Sequence, residues 1–289
     1  MAVELILYAL VFACLCVATY TDLKTREVPD WLSYGMVFSG VGLNLLAAIV
    51  YRDYTIIARS LLGLGAFFAF AALMFYSGQW GGGDSKVLMG MGAMLGLDWH
   101  LSEFPFMFNF FVNVLVVGAL YGLAWSFVLI LRSFQGFRKE FRRQWHKRAY
   151  KLVRLWIGIF GVLSLMAFLL TEGGLSRVMV ALAYSGLAVS YVLWVSMKAV
   201  EKACMLRSVE PAKLTEGDWI VRDIRYRGKY ICGPKDLGIS KPAIRALVRL
   251  FKMGKIKKVL IKEGIPFVPS FLIAFGATLL LGNVFLLFL

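Results

Sequence analysis

Uncharged, strongly apolar runs recur along this chain at lengths suited to crossing a bilayer. A helix needs about 20 such residues to span the hydrocarbon layer. Inside that layer every backbone amide must find its partner within the segment or within neighbouring protein. The 289-residue chain is 60% hydrophobic and 17% charged, against the roughly 25% charged residues of soluble domains. Hydropathy places helices at 3–20, 31–51, 56–76, 84–98, 106–131, 152–170, 177–197 and 267–289. The expected fold is an all-α polytopic membrane protein of about eight transmembrane helices, with a small α+β cytoplasmic insert before the last helix. The N-terminal run lacks a basic lead-in and a small-residue cleavage pattern, so it reads as a retained first span.

Charge fixes the expected orientation. Of 32 Lys and Arg residues, 29 fall in or beside the loops 21–30, 77–83, 132–151 and 198–266. Only Arg52, Arg59 and Arg177 fall on the other side. The positive-inside rule then puts those loops in the cytoplasm and both chain ends outside. The chain divides into a membrane core at 1–131, a basic loop at 132–151, two spans within 152–197, the insert at 198–266 and a last helix at 267–289. This distribution accounts for most of the net charge of +15 without nucleic acid. The lipid bilayer is the expected partner of clusters such as Arg138-Lys139, Arg142-Arg143 and Lys255 to Lys258.

Two carboxyls stand out against this apolar background. Asp22 ends the first span and Asp84 opens the fourth, on the same side. From Asp98 back to Asp84 is about 21 Å of helix, short of the ~30 Å hydrocarbon thickness. Asp84 therefore lies several ångströms inside if Asp98 and Trp99 mark the outer interface. Ionisable side chains at such depth are costly and mark functional sites. Before Asp84 run Gly81, Gly82 and Gly83, which can take unusual backbone angles and admit a close neighbour. Asp84 is expected as a helix N-cap, and Asp30, after Pro29, as another. Taken alone, Asp22 reads as a loop residue and Asp84 as a cap. Placed together, with Lys86 two residues on, they suit a pair sharing one proton, the arrangement that lets a carboxylate activate water.

Other chemistries find few parts. Cys14, Cys16, Cys204 and Cys232 form no CxxC pair and have no histidine nearby, so they read as packing residues. His100 and His146 are the only histidines, which argues against histidine-based metal or triad chemistry. No metal or cofactor is expected.

Thr21-Asp22-Leu23-Lys24, followed by Val28-Pro29 and a hydrophobic span, resembles the first aspartate motif of type IV prepilin peptidases. Gly81-Gly82-Gly83-Asp84-Ser85-Lys86 resembles their GxGD-x-K motif, and the match is nearest to the archaeal prepilin and preflagellin (prearchaellin) branch. Gly264-Ile265-Pro266-Phe267-Val268-Pro269-Ser270-Phe271 is similar to the segment leading into the last membrane helix of archaeal members. The resemblance implies a GxGD aspartyl protease that removes the short basic leader of prepilins or prearchaellins at the cytoplasmic membrane face. Asp22 and Asp84 would be the catalytic pair, supported by Gly81, Gly83 and Lys86, with the core at 1–131 as the catalytic part. The paired CxxC domain of bacterial relatives is missing, so methylation of the new N-terminus does not transfer. Two rivals remain. A signal-peptide-peptidase or presenilin-like protease would need a Pro-Ala-Leu segment in its last spans, and none occurs. A proton-coupled transporter would use the carboxyls as a relay, yet no internal repeat is present.

Glu27 and Asp30, with the two aspartates, form an acidic concentration that would attract a basic leader. Pro266 and Pro269 admit two readings: exposed backbone for an extended substrate, or a rigid start to a helix. In the insert, Trp219-Ile220-Val221, Ile224 and Tyr226 lead into an Arg227-Gly228-Lys229 turn and Tyr230-Ile231, a candidate hairpin. Residues Ile239 to Phe251 read as an amphipathic helix with Ser240 as cap.

Overall fold

The computed structural model describes residues 2–98 and 105–284. Among these the chain is mostly helical. Its helices are α1 (Ala2–Thr25), α2 (Asp30–Tyr51), α3 (Thr55–Tyr76), α4 (Gly82–Leu95), α5 (Phe106–Arg132), α6 (Phe134–Trp145), α7 (Arg148–Leu170), α8 (Gly174–Ala203), α9 (Lys241–Lys252) and α10 (Val268–Leu281). Short strands β1 (Leu206–Val209), β2 (Trp219–Ile220), β3 (Ile224–Tyr226), β4 (Lys229–Cys232) and β5 (Val259–Lys262) lie before α10. Six helices, α1, α2, α3, α5, α7 and α8, are long and apolar enough to cross a membrane. The expected eight spans are therefore not all met at full length. The fourth and last, α4 and α10, have 14 described residues each, about 21 Å of helix. Trp99, His100 and positions 285–289 of the last expected span lie outside the described residues.

The chain forms two compact units. The first holds residues 1–124, 211–257 and 264–289. Its centre is α4, whose Val87, Leu88, Met91, Ala93 and Met94 are all buried. Around it pack α1, α2 and α3. Leu7, Val11, Leu15 and Ala18 repeat at helical spacing and give α1 one buried face. A helix that stops within a bundle leaves its last carbonyls without helical partners. Side chains of neighbouring helices supply them. Asn44 Nδ2 donates to the carbonyls of Ala93 at 3.2 Å and Met94 at 3.1 Å, and Ser60 Oγ donates to Ala93 at 2.6 Å. The approach is close because Gly63 of α3 meets Gly92 of α4 backbone to backbone.

Most of the polar insert also belongs to this unit. β3 and β4 pair antiparallel, with Tyr226 opposite Lys229. The turn is Arg227-Gly228 alone, both at positive φ, as a two-residue hairpin turn of right-handed twist demands. Trp219-Ile220 is a separate strand rather than part of that hairpin. Helix α9 starts after Ser240, whose side chain makes no cap bond, and buries Leu247 and Leu250. Burial, and then the charge of Asp236, push the buried Cys232 thiol up to about 11. A thiol so protonated at neutral pH is a poor nucleophile. Iodoacetamide near pH 7.5 should leave Cys232 unmodified in the folded protein and alkylate it after denaturation, as peptide mass spectrometry would record. Modification of the native chain at that site would contradict the burial.

The second unit holds residues 125–210 and 258–263. The basic stretch expected as a loop at 132–151 is largely the helix α6, and α7 begins at Arg148. Phe134, Phe137, Phe141 and Trp145 recur at helical spacing; Phe137 lies tilted against Phe141, and Phe141 stacks on Trp145, each with ring centres 5.7 Å apart. Arg154 of α7 donates to the Trp145 carbonyl and lies over the Trp145 ring. Helices α7 and α8 pack as an antiparallel pair, with Tyr150 against Trp194 at 4.7 Å. β1 and β5 pair antiparallel, Leu206 opposite Lys262.

Candidate active site

Helix α1 carries Asp22 one turn before its end. Arg26 there takes a left-handed φ of 62°, its N–H still bonded to the Asp22 carbonyl at 3.0 Å. Pro29 precedes Asp30 and cannot continue the helix, so the chain turns into α2 within a few residues. Asp22 is only 6% exposed. Its Oδ2 accepts the Val268 N–H at 3.1 Å, with the Phe267 N–H beside it. The carboxyl thus caps the N-terminus of α10 from 246 positions away, where free N–H groups and the helix dipole favour an acidic partner.

Asp84 sits at the third position of α4, which corrects the expectation of an N-cap. Gly81 is the N-cap, and Asp84 Oδ2 reaches back to accept its N–H at 3.1 Å. This is the carboxylate half of a capping box; glycine has no side chain to return the bond. Gly81 has φ −74°, and none of the three glycines lies at positive φ. Their expected use of unusual angles is therefore absent. Space explains Gly83, where a methyl group would sit 3.2 Å from Val28 Cγ2.

The two carboxyls are close enough for the charge of Asp22 to act directly on Asp84. Lys86 does not serve that pair. Its Nζ donates to Asp30 Oδ1 at 2.5 Å and lies 5.5 Å over the Tyr34 ring. Asp30 occupies the first turn of α2 with Pro29 at the cap, so it is an ion-pair partner rather than a cap. Glu27 is exposed on the α1–α2 connection. Pro266 and Pro269 are buried, with Pro269 in the first turn of α10, which fits a rigid helix start.

Several site neighbours escaped the sequence reading. Tyr121 of α5 has a buried hydroxyl within electrostatic range of Asp22 and Arg26. Arg26 Nη1 donates to the Gly264 carbonyl at 3.4 Å, tying the Asp22 turn to the residues ahead of α10. Trp80, 8% exposed, packs 5.5 Å from Phe70, 5.5 Å from Phe267 and 5.4 Å from Phe271. Of these only Trp80, adjoining the glycine run, carried any signal in the sequence.

The described residues form a multi-pass helical protein, with six helices long and apolar enough to cross a membrane, that carries two carboxyls on separate helices, Asp22 and Asp84. Residues 9–123, which carry both aspartates, match the model of the type IV leader peptidase family. The preflagellin peptidase of Methanococcus maripaludis is 29% identical over 130 residues, 41% of this chain and 55% of that protein. Those of Methanocaldococcus jannaschii and Methanococcus voltae are 35% identical over 81 residues and 34% identical over 91. These alignments cover 28% and 32% of this chain, and 34% and 39% of the relatives. The chain thus spans between about a third and just over half of the length of these curated relatives. No solved structure matches it. The preflagellin peptidases among these relatives accord with the branch that the motifs resemble.

Proposed function

We propose that this chain is a membrane aspartyl endopeptidase that removes the short basic leader of type IV prepilins or prearchaellins at the cytoplasmic membrane face. One observation carries the reading: Asp22 and Asp84 lie within reach of each other's charge, inside the segment that matches a leader peptidase family. One carboxylate takes a proton from water as the water attacks the scissile carbonyl. The other, protonated, polarises that carbonyl and then passes its proton to the leaving amine. The roles belong to the pair as a unit. The fixed N–H contacts of Val268 and Gly81 orient one oxygen of each carboxyl, leaving little freedom to lose on reaching the transition state.

The orientation follows the charge distribution, with the Asp22 turn and the Gly81 to Asp84 run at the inner face. A basic leader arriving there meets Glu27, exposed beside the Asp22 turn, whereas Asp30 is occupied by Lys86. Glu27→Lys should slow cleavage of a Lys/Arg-rich leader by roughly 3–10-fold while changing a neutral leader little, given the modest energy of exposed ion pairs. Competitive cleavage of the two leaders in one reaction measures the ratio, and an equal effect on both would remove Glu27 from recognition.

The direct test is co-expression with a prepilin carrying a basic leader. Mass spectrometry should show the substrate shortened by the leader. A substrate of unchanged mass beside correctly inserted enzyme, across a panel of archaeal prepilins and prearchaellins, would reject the proposed activity.

A further inference from the structure

Neither aspartate motif accounts for the insert, yet one of its side chains reaches the turn that leads into the helix of Asp84. Trp219 of β2, half-buried, lies against Gly78 between α3 and α4. A methyl group on Gly78 would stand 3.1 Å from Trp219 Cη2 and 3.7 Å from Cζ3. Gly78 also has φ +69°, a left-handed angle that disfavours any other residue. The position is constrained twice, by its backbone angle and by the indole pressed on it.

From this contact to Asp84 the chain is held at each step. The Gly78 N–H bonds the Phe75 carbonyl at 2.9 Å. The N–H groups of Gln79 and Trp80 both bond the Met74 carbonyl, at 3.0 and 3.2 Å. These bonds satisfy the Met74 and Phe75 carbonyls in the last turn of α3 and turn the chain back into the bundle. Trp80 then enters the aromatic cluster of Phe70, Phe267 and Phe271. Gly81 comes next, its N–H held by Asp84. Phe267 adjoins Val268, the residue that binds Asp22. Trp80 thus bridges the approach to one aspartate and the helix start that fixes the other.

We propose that Trp219 is a positioning residue through which the insert, by way of the Gly78 turn and Trp80, sets where Asp84 stands relative to Asp22. This rests on the peptidase reading above. An insert that only docked leaders would behave differently under substitution. Loss of docking raises KM and leaves kcat in place, whereas a displaced reacting group lowers kcat.

The test uses the full chain in lipid nanodiscs, with a synthetic prepilin leader peptide as substrate. W219A should lower kcat roughly 10–100-fold, the scale of an ångström-sized misplacement, with KM nearly unchanged. W219F, which keeps a ring against Gly78, should recover most of that loss. Amide hydrogen exchange gives a readout free of any substrate: in W219A the segment 77–86 should lose protection while α2 keeps it. An unchanged kcat, a change in KM alone, or W219F as slow as W219A would overturn the proposal. So would unaltered exchange across 77–86, even for a protein that cleaves no leader. Should W219A fail to insert, W219L offers the same comparison with an apolar side chain kept in the strand.

Discussion

Asp22→Asn and Asp84→Asn should each give a correctly inserted protein that cleaves no leader. A carboxamide can neither take the proton from water nor return it to the leaving amine. It does keep an acceptor oxygen where the Val268 and Gly81 N–H groups need one, so both helix starts stay capped. The expected loss is at least about 10³-fold in kcat, or about 4 kcal/mol of barrier. Because the carboxyls act as a unit, the double variant should be no worse than either single one. Wild-type kcat should trace a bell against pH, since turnover needs one carboxyl protonated and its neighbour ionised. Quantitative mass spectrometry of a prepilin supplies the rates. Either Asn variant processing above a few percent of wild type would end the paired-aspartate mechanism.

The largest effect on the fold is expected from Gly92→Val. A Cβ on Gly92 would lie 2.5 Å from the Gly63 carbonyl oxygen and 3.1 Å from Phe67 Cβ. Backbone cannot yield as a flexible side chain can, so α3 and α4 must part. Overpacking of this kind costs about 1–3 kcal/mol. Separation also pulls the Ala93 carbonyl from Ser60 and disturbs the Asn44 bonds, at about 1–3 kcal/mol for each buried group left unpaired. We expect Gly92→Val to lower the thermal midpoint sharply or to give aggregated protein on size-exclusion chromatography. Gly65→Ala is the control, because nothing lies within 4 Å of a methyl group there. It should be neutral or mildly stabilising by helix propensity. Equal stability of the two variants would show that the Gly63–Gly92 approach is not a real constraint.

The membrane helices were legible because length and composition alone separate a spanning helix from other apolar segments. The shortness of α4 was legible in part: Asp84 and Asp98 bracket a run shorter than the hydrocarbon layer, yet its apolar composition still counted it among the eight expected spans. The α6 helix within the basic 132–151 stretch was not legible. Its Lys and Arg residues dominated the local composition and masked the helical spacing of Phe134, Phe137, Phe141 and Trp145. A pairing of Asp22 with Asp84 was expected from their common side and the glycine run. Their partners were not. Lys86 looked toward Asp84 in sequence but is claimed by Asp30, because α2 and α4 pack side by side. The N–H bond to Asp22 comes from the other end of the chain, and no local pattern carries such a contact. Trp80, Tyr121 and Trp219 are single aromatics without periodicity. Only packing shows what they touch.

On the proposed mechanism, the oxygen that caps α10 belongs to one of the two carboxyls that would react, which would tie α10 to the chemistry. A change in the bonding of Asp22 would then reach the Val268 amide and the first turn of α10 directly. A nuclear spin or small fluorophore placed in that turn would therefore report turnover from inside the enzyme, with no modification of the substrate.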